Sequence, residues 1–293
     1  MQIKETFIYK FLQLFYGEMF NKDNSYSKRL MRLVSRTPFK NLAYFIFIIF
    51  KKKNEKLTLN TKPYFQIPLN KKKILLDLKS YGISRDIVLK KSIVGLILEK
   101  IENCKFQINR TKNEIFFNER HTIKDIYLLR LFEPHKKINE IKDIALNHNL
   151  IEAIKDYIGY EPLILSTQIW WTFPFNDEQG KPANPPGNEF GFHYDVDDFK
   201  FLKLFFYLND VDLNSGPHVY VENNGKKNLK EFLNRRVTDN YVSVHYSNRV
   251  KTILGNAGNG FIEDTSFYHK GSNPKKESGR GILQIVYGLH DWK

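Results

Sequence analysis

The chain has 293 residues, of which 42% are hydrophobic and 15% aromatic, a composition that excludes an intrinsically disordered protein. Its single cysteine, Cys104, excludes an internal disulfide framework and a cysteine-rich zinc site. The net charge is +14, and residues 1–100 hold 21 Lys and Arg against 7 Asp and Glu, so this part carries the whole excess.

The N-terminal part contains two apolar segments. The first has apolar residues at steps of three and four, which predict an amphipathic helix: Phe7, Phe11, Leu14 or Phe15, and Met19. We expect this face to pack onto the rest of the protein, with binding to an anionic membrane as the alternative. The second, residues 42–50, is too short to span a bilayer, which takes about 20 residues. It predicts a buried segment or, as the alternative, one at a membrane interface.

The distribution of charged residues in the N-terminal part favours some binding partners and cellular locations over others. Charged residues are spread through residues 1–20, which does not fit a secretory signal, so we expect a soluble, cytoplasmic protein. Peripheral membrane contact through residues 1–100 is an additional hypothesis. The lysine clusters at 51–53 and 71–73 lack the interleaved aromatic residues of a single-strand groove, so no nucleic-acid partner is expected. Nothing in the sequence indicates an oligomeric state.

From about residue 122 the pattern becomes mainly strand-like. We expect a basic, mostly helical region over residues 1–121 and a second domain over 122–293. The expected elements of the second domain are a strand at 125–132, a helix at 138–157 that ends at Gly159, a strand at 163–173, a Gly-, Pro- and Asn-rich loop at 176–188, and short strands near 189–194, 201–208, 217–222, 241–247, 250–254, 259–263 and 280–288. Many short strands separated by turns predict an antiparallel sandwich or barrel, of which cupin-type jelly rolls are one kind.

The triplet His193-Tyr194-Asp195 suggests a metal site. On an extended strand the side chains of His193 and Asp195 point to the same face, so both can reach one ion. His269, 76 residues beyond His193, is the candidate third ligand. Two imidazoles and one carboxylate can hold ferrous iron on one face and leave the other face open. A lone His-x-Asp pair is weak support, since roughly 0.4 such pairs arise by chance in this composition.

Arg280 is a further candidate site residue. It lies eleven residues beyond His269 and begins an apolar stretch that predicts a buried strand. A buried arginine needs a carboxylate partner. That partner is either the carboxylate of an organic acid, bound as a bidentate ion pair, or an Asp or Glu of the protein.

These residues and their flanks resemble the phytanoyl-CoA dioxygenase family. The resemblance covers about residues 125–290 and rests on the runs Phe192-His-Tyr-Asp-Val-Asp-Asp-Phe199, Phe201-Leu-Lys-Leu-Phe-Phe-Tyr-Leu-Asn-Asp-Val-Asp212, Ser215-Gly-Pro-His-Val-Tyr-Val221, Asp264-Thr265, His269-Lys-Gly271 and Arg280. It implies a double-stranded β-helix, a jelly-roll variant, within an α+β fold whose core is mainly β. Packed helices and a basic, partly helical N-terminal extension complete the expected architecture.

The resemblance also implies chemistry. His193, Asp195 and His269 would be catalytic as ligands of iron(II), and Arg280 would hold the distal carboxylate of 2-oxoglutarate. With O2 as the other co-substrate, the reaction would release succinate and CO2. The carboxylate ligand argues for hydroxylation rather than halogenation. The expected substrate is a small molecule, a lipid or a glycan precursor.

The sequence departs from the family at the co-substrate site. Some members have a Ser where Gly271 stands, and many have a Lys on the strand that here contains Gln168, Trp170 and Thr172. A second co-substrate contact is therefore not assigned, although these three side chains share one strand face. Lys203, in an apolar strand, either extends to solvent or meets an anion.

Several alternatives stay open at the level of sequence. Asp197 and Asp198 are further carboxylates, but their spacing from His193 favours a role in orienting the loop. His218 is expected either to pack in the core or to contact a metal ligand rather than the metal. A non-catalytic jelly-roll module that binds a metal or ligand, and a cupin-type sugar isomerase or epimerase, are the rival functions.

Overall fold

The computed structural model describes residues 25–52, 54–123, 125–176, 190–222 and 229–292, with residues 180, 181, 183 and 185 of the intervening loop. The amphipathic helix expected through residues 7–19 lies outside the described residues. The helices are α1 (Tyr26–Ser35), α2 (Lys40–Phe50), α3 (Lys71–Tyr81), α4 (Lys91–Glu102), α5 (Asn139–Ala145), α6 (His148–Ile158), α7 (Leu229–Leu233) and α8 (Asp239–Tyr246). The strands are β1 (Ile83–Val88), β2 (Lys105–Ile108), β3 (Glu114–Phe116), β4 (Leu128–Phe132), β5 (Leu163–Thr172), β6 (Leu202–Tyr207), β7 (His218–Val221), β8 (Val250–Ile253), β9 (Asn259–Glu263), β10 (His269–Gly271) and β11 (Arg280–Gly288).

In the part of the chain that the structure describes, the strands form a larger antiparallel sheet of eight and a smaller one of three. The larger has the order β1-β9-β6-β11-β5-β4-β2-β3, and the smaller has the order β10-β7-β8. Apolar side chains of both sheets, among them Phe205, Tyr220 and Ile282, form one buried cluster, so the two sheets face each other. This mixed architecture with an antiparallel, jelly-roll-like core confirms the expected fold class.

Successive side chains of the larger sheet point alternately into the interior between the two sheets and toward the outer face of the larger sheet. On β6, Phe205 and Tyr207 belong to the cluster between the sheets, whereas Leu204 and Phe206 belong to the larger core on the other face. Successive side chains of a strand point to opposite faces. Lys203 therefore shares the interior face with Phe205.

Helices α4, α5 and α6 contribute to the core on the outer face of the larger sheet. Ile97, Ile141 and Ile154 of these helices are fully buried in the same cluster as Leu204 and Leu283 of the sheet. Burying one such side chain stabilises the fold by about 1.5–3 kcal/mol. Packing on the outer face thus supports the sheet, and the interior between the sheets is left for a site.

The helix expected at 138–157 is two helices, α5 and α6. Asn147 is the N-cap of α6, and its side chain accepts a hydrogen bond from the backbone N–H of Leu150. Such a cap satisfies a donor that a helix start leaves without a partner, so it favours a new start. The expected end at Gly159 is confirmed: this residue follows α6 in the left-handed region, with φ of 85°.

The prediction of a strand at 241–247 is wrong, because residues 241–246 lie in α8 and a 3₁₀ turn begins at Ser247. Thr238 is the N-cap, and its side chain accepts a hydrogen bond from the backbone N–H of Tyr241. Val242 and Tyr246, four residues apart, are the buried side chains and lie on one helical face. The alternating valines favoured a strand, but the N-cap and the burial of one helical face outweigh that local preference.

The larger sheet contains strands from both sides of the boundary expected near residue 121. Strands β1, β2 and β3 precede this boundary, and β2 pairs with β4 through Gln107 and Arg130. Strand β1 pairs with β9, with Ile83 opposite Glu263. Backbone pairing thus joins both ranges, and the division into two domains stays a prediction.

The apolar run at 42–50 forms most of helix α2, and the expectation that it is buried is wrong. No residue of α2 is buried. The exposed fraction is 62% at Phe45 and 59% at Ile49, while Phe47 is partly buried against the core. Within the described residues, no helix has both the length and the apolar character needed to cross a membrane.

Candidate metal centre

The structure brings together His193, Asp195 and His269, the three residues predicted as iron ligands. One potential ligand atom from each lies within 4.8 Å of the others. Residues 190–194 do not form the expected strand. Instead, His193 and His269 form an isolated bridge in which each backbone N–H donates to the other's carbonyl, at 2.9 and 2.8 Å. The backbone N–H of Asp195 donates to Thr265 O at 2.8 Å, which places its side chain beside the imidazoles.

Backbone carbonyls orient both imidazoles. His193 Nδ1 lies 2.9 Å from Gly191 O, and His269 Nδ1 lies 3.0 Å from Phe267 O. Because a carbonyl oxygen only accepts, each Nδ1 carries a proton and donates it, and each Nε2 of a neutral ring presents a lone pair. These Nε2 atoms lie 3.9 Å and 3.3 Å, respectively, from carboxylate oxygens of Asp195. This is the tautomer that metal-binding imidazoles need.

A buried lysine holds the Asp195 carboxylate in its charged form. Lys203 Nζ lies 2.8 Å from an oxygen of Asp195 and 2.8 Å from one of Asp197. Burial alone would raise the pKa of Asp195, but Lys203 and the two imidazoles outweigh burial and hold this pKa well below its usual range. Of the two roles open to Lys203 at the level of sequence, the structure therefore shows contact with an anion.

The two imidazoles differ in their affinity for a proton. Burial and the neighbouring His269 lower the pKa of His193 to about 3. Burial also acts to lower the pKa of His269, but the Asp195 carboxylate outweighs it and raises this pKa above the ordinary value. A divalent cation that binds here competes with a proton mainly at His269.

Arg280 lies in the wall of the same cavity, at the start of β11. Its side chain is buried, and within the described residues its Nε and Nη1 atoms have no hydrogen-bond partner. Leaving buried guanidinium N–H groups without acceptors costs free energy. A carboxylate that entered from the cavity would satisfy them through a bidentate ion pair.

Gly271 makes room for the Arg280 guanidinium. A Cβ atom at position 271 would lie 2.6 Å from Nη2 and 3.0 Å from Nη1 of Arg280. These distances are shorter than van der Waals contact, so any side chain here would displace the guanidinium. The absence of a side chain at position 271 is therefore matched to the position of this arginine.

The metal cluster and Arg280 line one cavity of about 360 Å³. Of the three β5 side chains considered for a second co-substrate contact, Trp170 lines this cavity. Gln168 accepts a hydrogen bond from Arg130 at 2.9 Å, and the hydroxyl of Thr172 donates to Arg280 O at 3.4 Å. Gln284, which sequence reasoning did not select, also lines the cavity.

Three further arginines in the cavity wall were missed at the level of sequence: Arg110, Arg235 and Arg236. Arg110 lies in the turn between β2 and β3, and the other two precede α8. Arg236 forms a bridge with His193, which brings this segment to the metal cluster. Arg110 and the adjacent pair Arg235 and Arg236 lie in two irregular segments far apart in the chain, so no periodic pattern marks them. Only the tertiary structure brings them to one cavity.

His218 and Asp198 have the supporting positions expected of them. His218 Nε2 lies 2.7 Å from Glu263 Oε2, and its ring stacks on that of His269 with centroids 5.6 Å apart. Asp198 is fully buried and accepts hydrogen bonds from backbone N–H groups, among them that of Leu289 at 2.7 Å. Burial raises the pKa of Asp198 to about 6. Through these hydrogen bonds, Asp198 connects the loop after the metal cluster to the end of β11.

Comparisons with known proteins identify the fold but no family. No protein-family model matches the chain. No curated protein matches it either.

Solved structures are similar over most of the chain. HygX from Streptomyces hygroscopicus, crystallised with nickel, 2-oxoglutarate and hygromycin B, is 12% identical, with 77% of this chain and 90% of HygX covered and a TM-score of 0.52. EctD from S. alaskensis with bound iron is 13% identical, with 81% and 84% covered and a TM-score of 0.52. SnoN, a non-heme alpha-ketoglutarate-dependent epimerase from nogalamycin biosynthesis, is 10% identical, with 74% and 82% covered and a TM-score of 0.51. The chain thus shares the fold of these three proteins.

Proposed function

We propose that the protein is an iron(II)- and 2-oxoglutarate-dependent dioxygenase that hydroxylates a small molecule, a lipid or a glycan precursor. The observation that carries this proposal is the convergence of His193, Asp195 and His269 in one cavity with Arg280. Two imidazoles and one carboxylate on one face are the ligand set of non-haem iron(II) oxygenases. The shared fold with proteins crystallised with iron or with 2-oxoglutarate supports it.

The residues present fit the metal and the co-substrate. Both imidazoles present Nε2, and Asp195 is ionised, so three donors suit a divalent cation. The N–H groups of Arg280 without a partner suit the distal carboxylate of 2-oxoglutarate. Bound iron would supply the oxidising chemistry, in which O2 and 2-oxoglutarate give succinate, CO2 and one oxygen atom inserted into a substrate C–H bond.

The residues of the chain bind and orient the reactants. Arg280 would fix the far end of 2-oxoglutarate, and Gly271 leaves the guanidinium free to do so. Holding reactants in a productive geometry is one of the largest contributions that an enzyme makes to rate. Phe205 and Ile282 supply an apolar wall that limits water beside the metal centre.

Hydroxylation is one of several outcomes that this fold allows. SnoN, for example, is described as an epimerase. We propose hydroxylation because Asp195 supplies a carboxylate ligand, which argues against halogenation. A non-catalytic binding module and a sugar isomerase or epimerase that needs no oxygen are the rivals that the experiment must separate.

The proposal is tested by measuring succinate formed from 2-oxoglutarate, with iron(II) and air, in the presence of candidate small molecules, lipids and glycan precursors. We expect formation that needs iron, O2 and one of these substrates, and that falls more than about 100-fold in Asp195→Ala. Arg280→Gln should raise the KM for 2-oxoglutarate, whereas Lys112→Gln, at an exposed position, should not. Metal binding without succinate formation would indicate the non-catalytic module. Anaerobic turnover of a sugar that survives Arg280→Ala would indicate an isomerase.

We also propose that the protein lies in the cytoplasm and contacts an anionic membrane surface through α2. Exposed apolar side chains recur along this helix at spacings of three and four: Leu42, Phe45, Ile46 and Ile49. Residues 25–52 hold seven Lys and Arg and no Asp or Glu. A helix with an exposed apolar stripe in a basic setting is typical of binding at a membrane interface.

Membrane contact is tested by sedimentation with vesicles of phosphatidylglycerol and phosphatidylcholine. We expect the double variant Phe45→Ser/Ile49→Ser to bind anionic vesicles at least about tenfold more weakly, since burying each side chain contributes about 1.5–3 kcal/mol. The matched control, Leu213→Ser/Val244→Ser, removes two equally exposed apolar side chains elsewhere and should bind like the wild type. Equal binding of the two double variants would contradict the proposal.

A further inference from the structure

We infer that the substrate is a hydroxyl-rich compound of the sugar type, and that its hydroxyl groups bind in a second cavity beside the metal centre. This inference rests on the proposed function, because it names the substrate class of the same enzyme. The second cavity measures about 300 Å³, and its wall includes Ser166, Gln168, Trp170, Lys203, Gln284 and Val286. Trp170, Lys203 and Gln284 also line the cavity that contains the metal cluster and Arg280, called the metal cavity below. The two cavities therefore adjoin.

The smaller sheet covers only one end of the larger sheet, which leaves room for the second cavity. Strands β5 and β11 have ten and nine residues, whereas β7 and β10 have four and three. His218 of β7 and His269 of β10 line the metal cavity, and no described residue of the smaller sheet lines the second one. There, helix α1 and the C-terminal residues complete the wall with Lys28, His290 and Trp292.

Arg280 and the second cavity lie toward opposite ends of the interior face of β11. Arg280, Gln284 and Val286 share this face, because alternate side chains of a strand point the same way. At about 3.3 Å per residue, Gln284 lies about 13 Å and Val286 about 20 Å beyond Arg280. Lys203 of β6, opposite Val286, donates a hydrogen bond to Asp195, a predicted metal ligand. A group in the second cavity is thus close to the metal centre, and the anchor proposed for 2-oxoglutarate is on the other side.

Gln284 places an amide without a partner between the two cavities. The residue is buried, with 9% exposed, and within the described residues its side chain has no hydrogen-bond partner. A buried polar group without a partner costs free energy, so a ligand that supplies one gains affinity. Because an amide has N–H donors and an acceptor oxygen, the matching ligand group both accepts and donates.

Gln168 and Ser166 extend this polar surface across β5. Gln168 lies opposite Gln284, and Ser166 lies opposite Val286, so these side chains share the interior face. Arg130 donates to the amide oxygen of Gln168 at 2.9 Å, and the N–H groups of Gln168 are left for a ligand. The hydroxyl of Ser166 has no hydrogen-bond partner within the part of the chain that the structure describes.

The chemistry of these three side chains favours hydroxyl groups over other ligands. An apolar chain would leave the amides of Gln168 and Gln284 without partners. An ionised carboxylate only accepts hydrogen bonds, so it would leave the amide oxygen of Gln284 without a donor. Hydroxyl groups donate and accept, and a sugar ring carries them on neighbouring carbon atoms. Of the substrate classes proposed above, a glycan precursor therefore fits better than a lipid.

The test measures binding of the methyl glycosides of glucose, galactose and mannose to protein loaded with Mn(II) and 2-oxoglutarate. Mn(II) speeds the relaxation of 1H nuclei held nearby, and protein loaded with Zn(II) gives the diamagnetic reference. We expect saturable enhancement for at least one glycoside. Gln284→Leu and Ser166→Ala should each weaken its binding about threefold to tenfold, the effect of losing one hydrogen bond between uncharged groups. Ser166→Ala tests the second cavity by itself, because Ser166 is not among the described residues that line the metal cavity.

The matched control is Gln66→Leu, which removes an exposed amide outside both linings. It should bind the glycoside like the wild type. Equal affinity in Gln284→Leu, Ser166→Ala and the wild type, or no saturable enhancement with any glycoside, would overturn the inference. Stronger binding of hexanol than of every glycoside would assign the cavity to an apolar chain, and stronger binding of butyrate would assign it to an anion. Either result would overturn the assignment to a sugar.

Calorimetry of 2-oxoglutarate binding separates this inference from the proposed function. The titration uses the Mn(II)-loaded protein, with His269→Ala as the variant that should not bind the metal. If the metal and 2-oxoglutarate bind but no glycoside does, this inference alone fails. Weaker binding of 2-oxoglutarate with unchanged binding of the glycoside in Gln284→Leu would place this amide at the co-substrate site instead and overturn the inference. If neither the metal nor 2-oxoglutarate binds, the proposed function fails and this inference fails with it.

Discussion

Lys203 balances the charge of the metal centre before a cation binds. Its amine contacts carboxylate oxygens of Asp195 and Asp197 at 2.8 Å each, in a buried position. Removing one partner of a buried ion pair costs about 3–5 kcal/mol because the other charge is left uncompensated. A divalent cation at the predicted site would compensate the Asp195 charge in its place.

We therefore expect Lys203→Met to lower the thermal stability of chelator-treated protein and to increase the stabilisation by Mn(II) relative to the wild type. The measurement is the unfolding temperature with EDTA and with Mn(II). Asp197→Asn is the control, because it leaves the contact between Lys203 and Asp195 in place. The same Mn(II)-induced change in Lys203→Met as in the wild type would show that Asp195 does not bind the metal.

The close approach of Gly271 to Arg280 leads to a second prediction. Gly271→Ala places a Cβ 2.6 Å from the end of the Arg280 side chain, which must move. Misplacing a group that holds a reactant is costly for the reaction, so we expect the KM for 2-oxoglutarate to rise roughly tenfold. The unfolding temperature and the Mn(II) affinity should stay near their wild-type values, since the displaced atoms end a flexible side chain. An unchanged KM would remove Arg280 from the co-substrate site.

At the level of secondary structure, two glycines, one just after a helix and one inside a helix, should respond in opposite ways to substitution by alanine. Gly159 follows α6 with φ of 85°, and its Cβ would meet Tyr44 Oη at 2.9 Å, so Gly159→Ala should destabilise by about 1–2 kcal/mol. Gly95, inside α4, has open space around the Cβ position, so Gly95→Ala should stabilise by about 0.5–1 kcal/mol. Urea unfolding measures both. A Gly159→Ala variant at least as stable as Gly95→Ala would contradict the helix end at Gly159.

Some elements could be predicted from sequence and others could not. Strands β9 and β11 agree with their predicted bounds, 259–263 and 280–288. In β11 all nine residues are buried, so both faces are covered and the strand has a nearly continuous apolar run. The segment at 241–247 alternates like a strand, yet the cap at Thr238 and packing of one face make it helical. Short apolar segments lack enough local information to decide between helix and strand.

At the scale of the whole molecule, binding of the metal should increase the stability of the protein against unfolding. A metal that binds the native state alone stabilises it by about 2.7 kcal/mol at 100 times its Kd. For a protein of this size we expect Mn(II) to raise the unfolding temperature of EDTA-treated protein by roughly 5–10 °C. His269→Ala should lose this increase, because one of three predicted ligands is missing. An equal increase in that variant would place the metal elsewhere.

Local patterns in the sequence were enough to predict which residues form the candidate metal site. The spacing of His193 and Asp195, with His269 and Arg280 downstream, was enough to predict a cluster that the structure brings together. Two ligand residues at positions i and i+2, and an arginine at the start of an apolar strand, are local patterns. Such patterns can be recognised in the sequence without knowledge of the fold. Their roles with iron and 2-oxoglutarate stay predictions.

The other residues that surround this cluster are distant in the chain and come together only in the folded protein. Lys203 contacts Asp195 because β6 directs it into the interior, and Arg110 and the adjacent pair Arg235 and Arg236 reach the cavity from two distant segments. The tertiary structure also left one face of α2 exposed, although the residues of that helix are as apolar as those of a core. Burial and proximity depend on the path of the whole backbone, and residue type and local spacing do not contain that information.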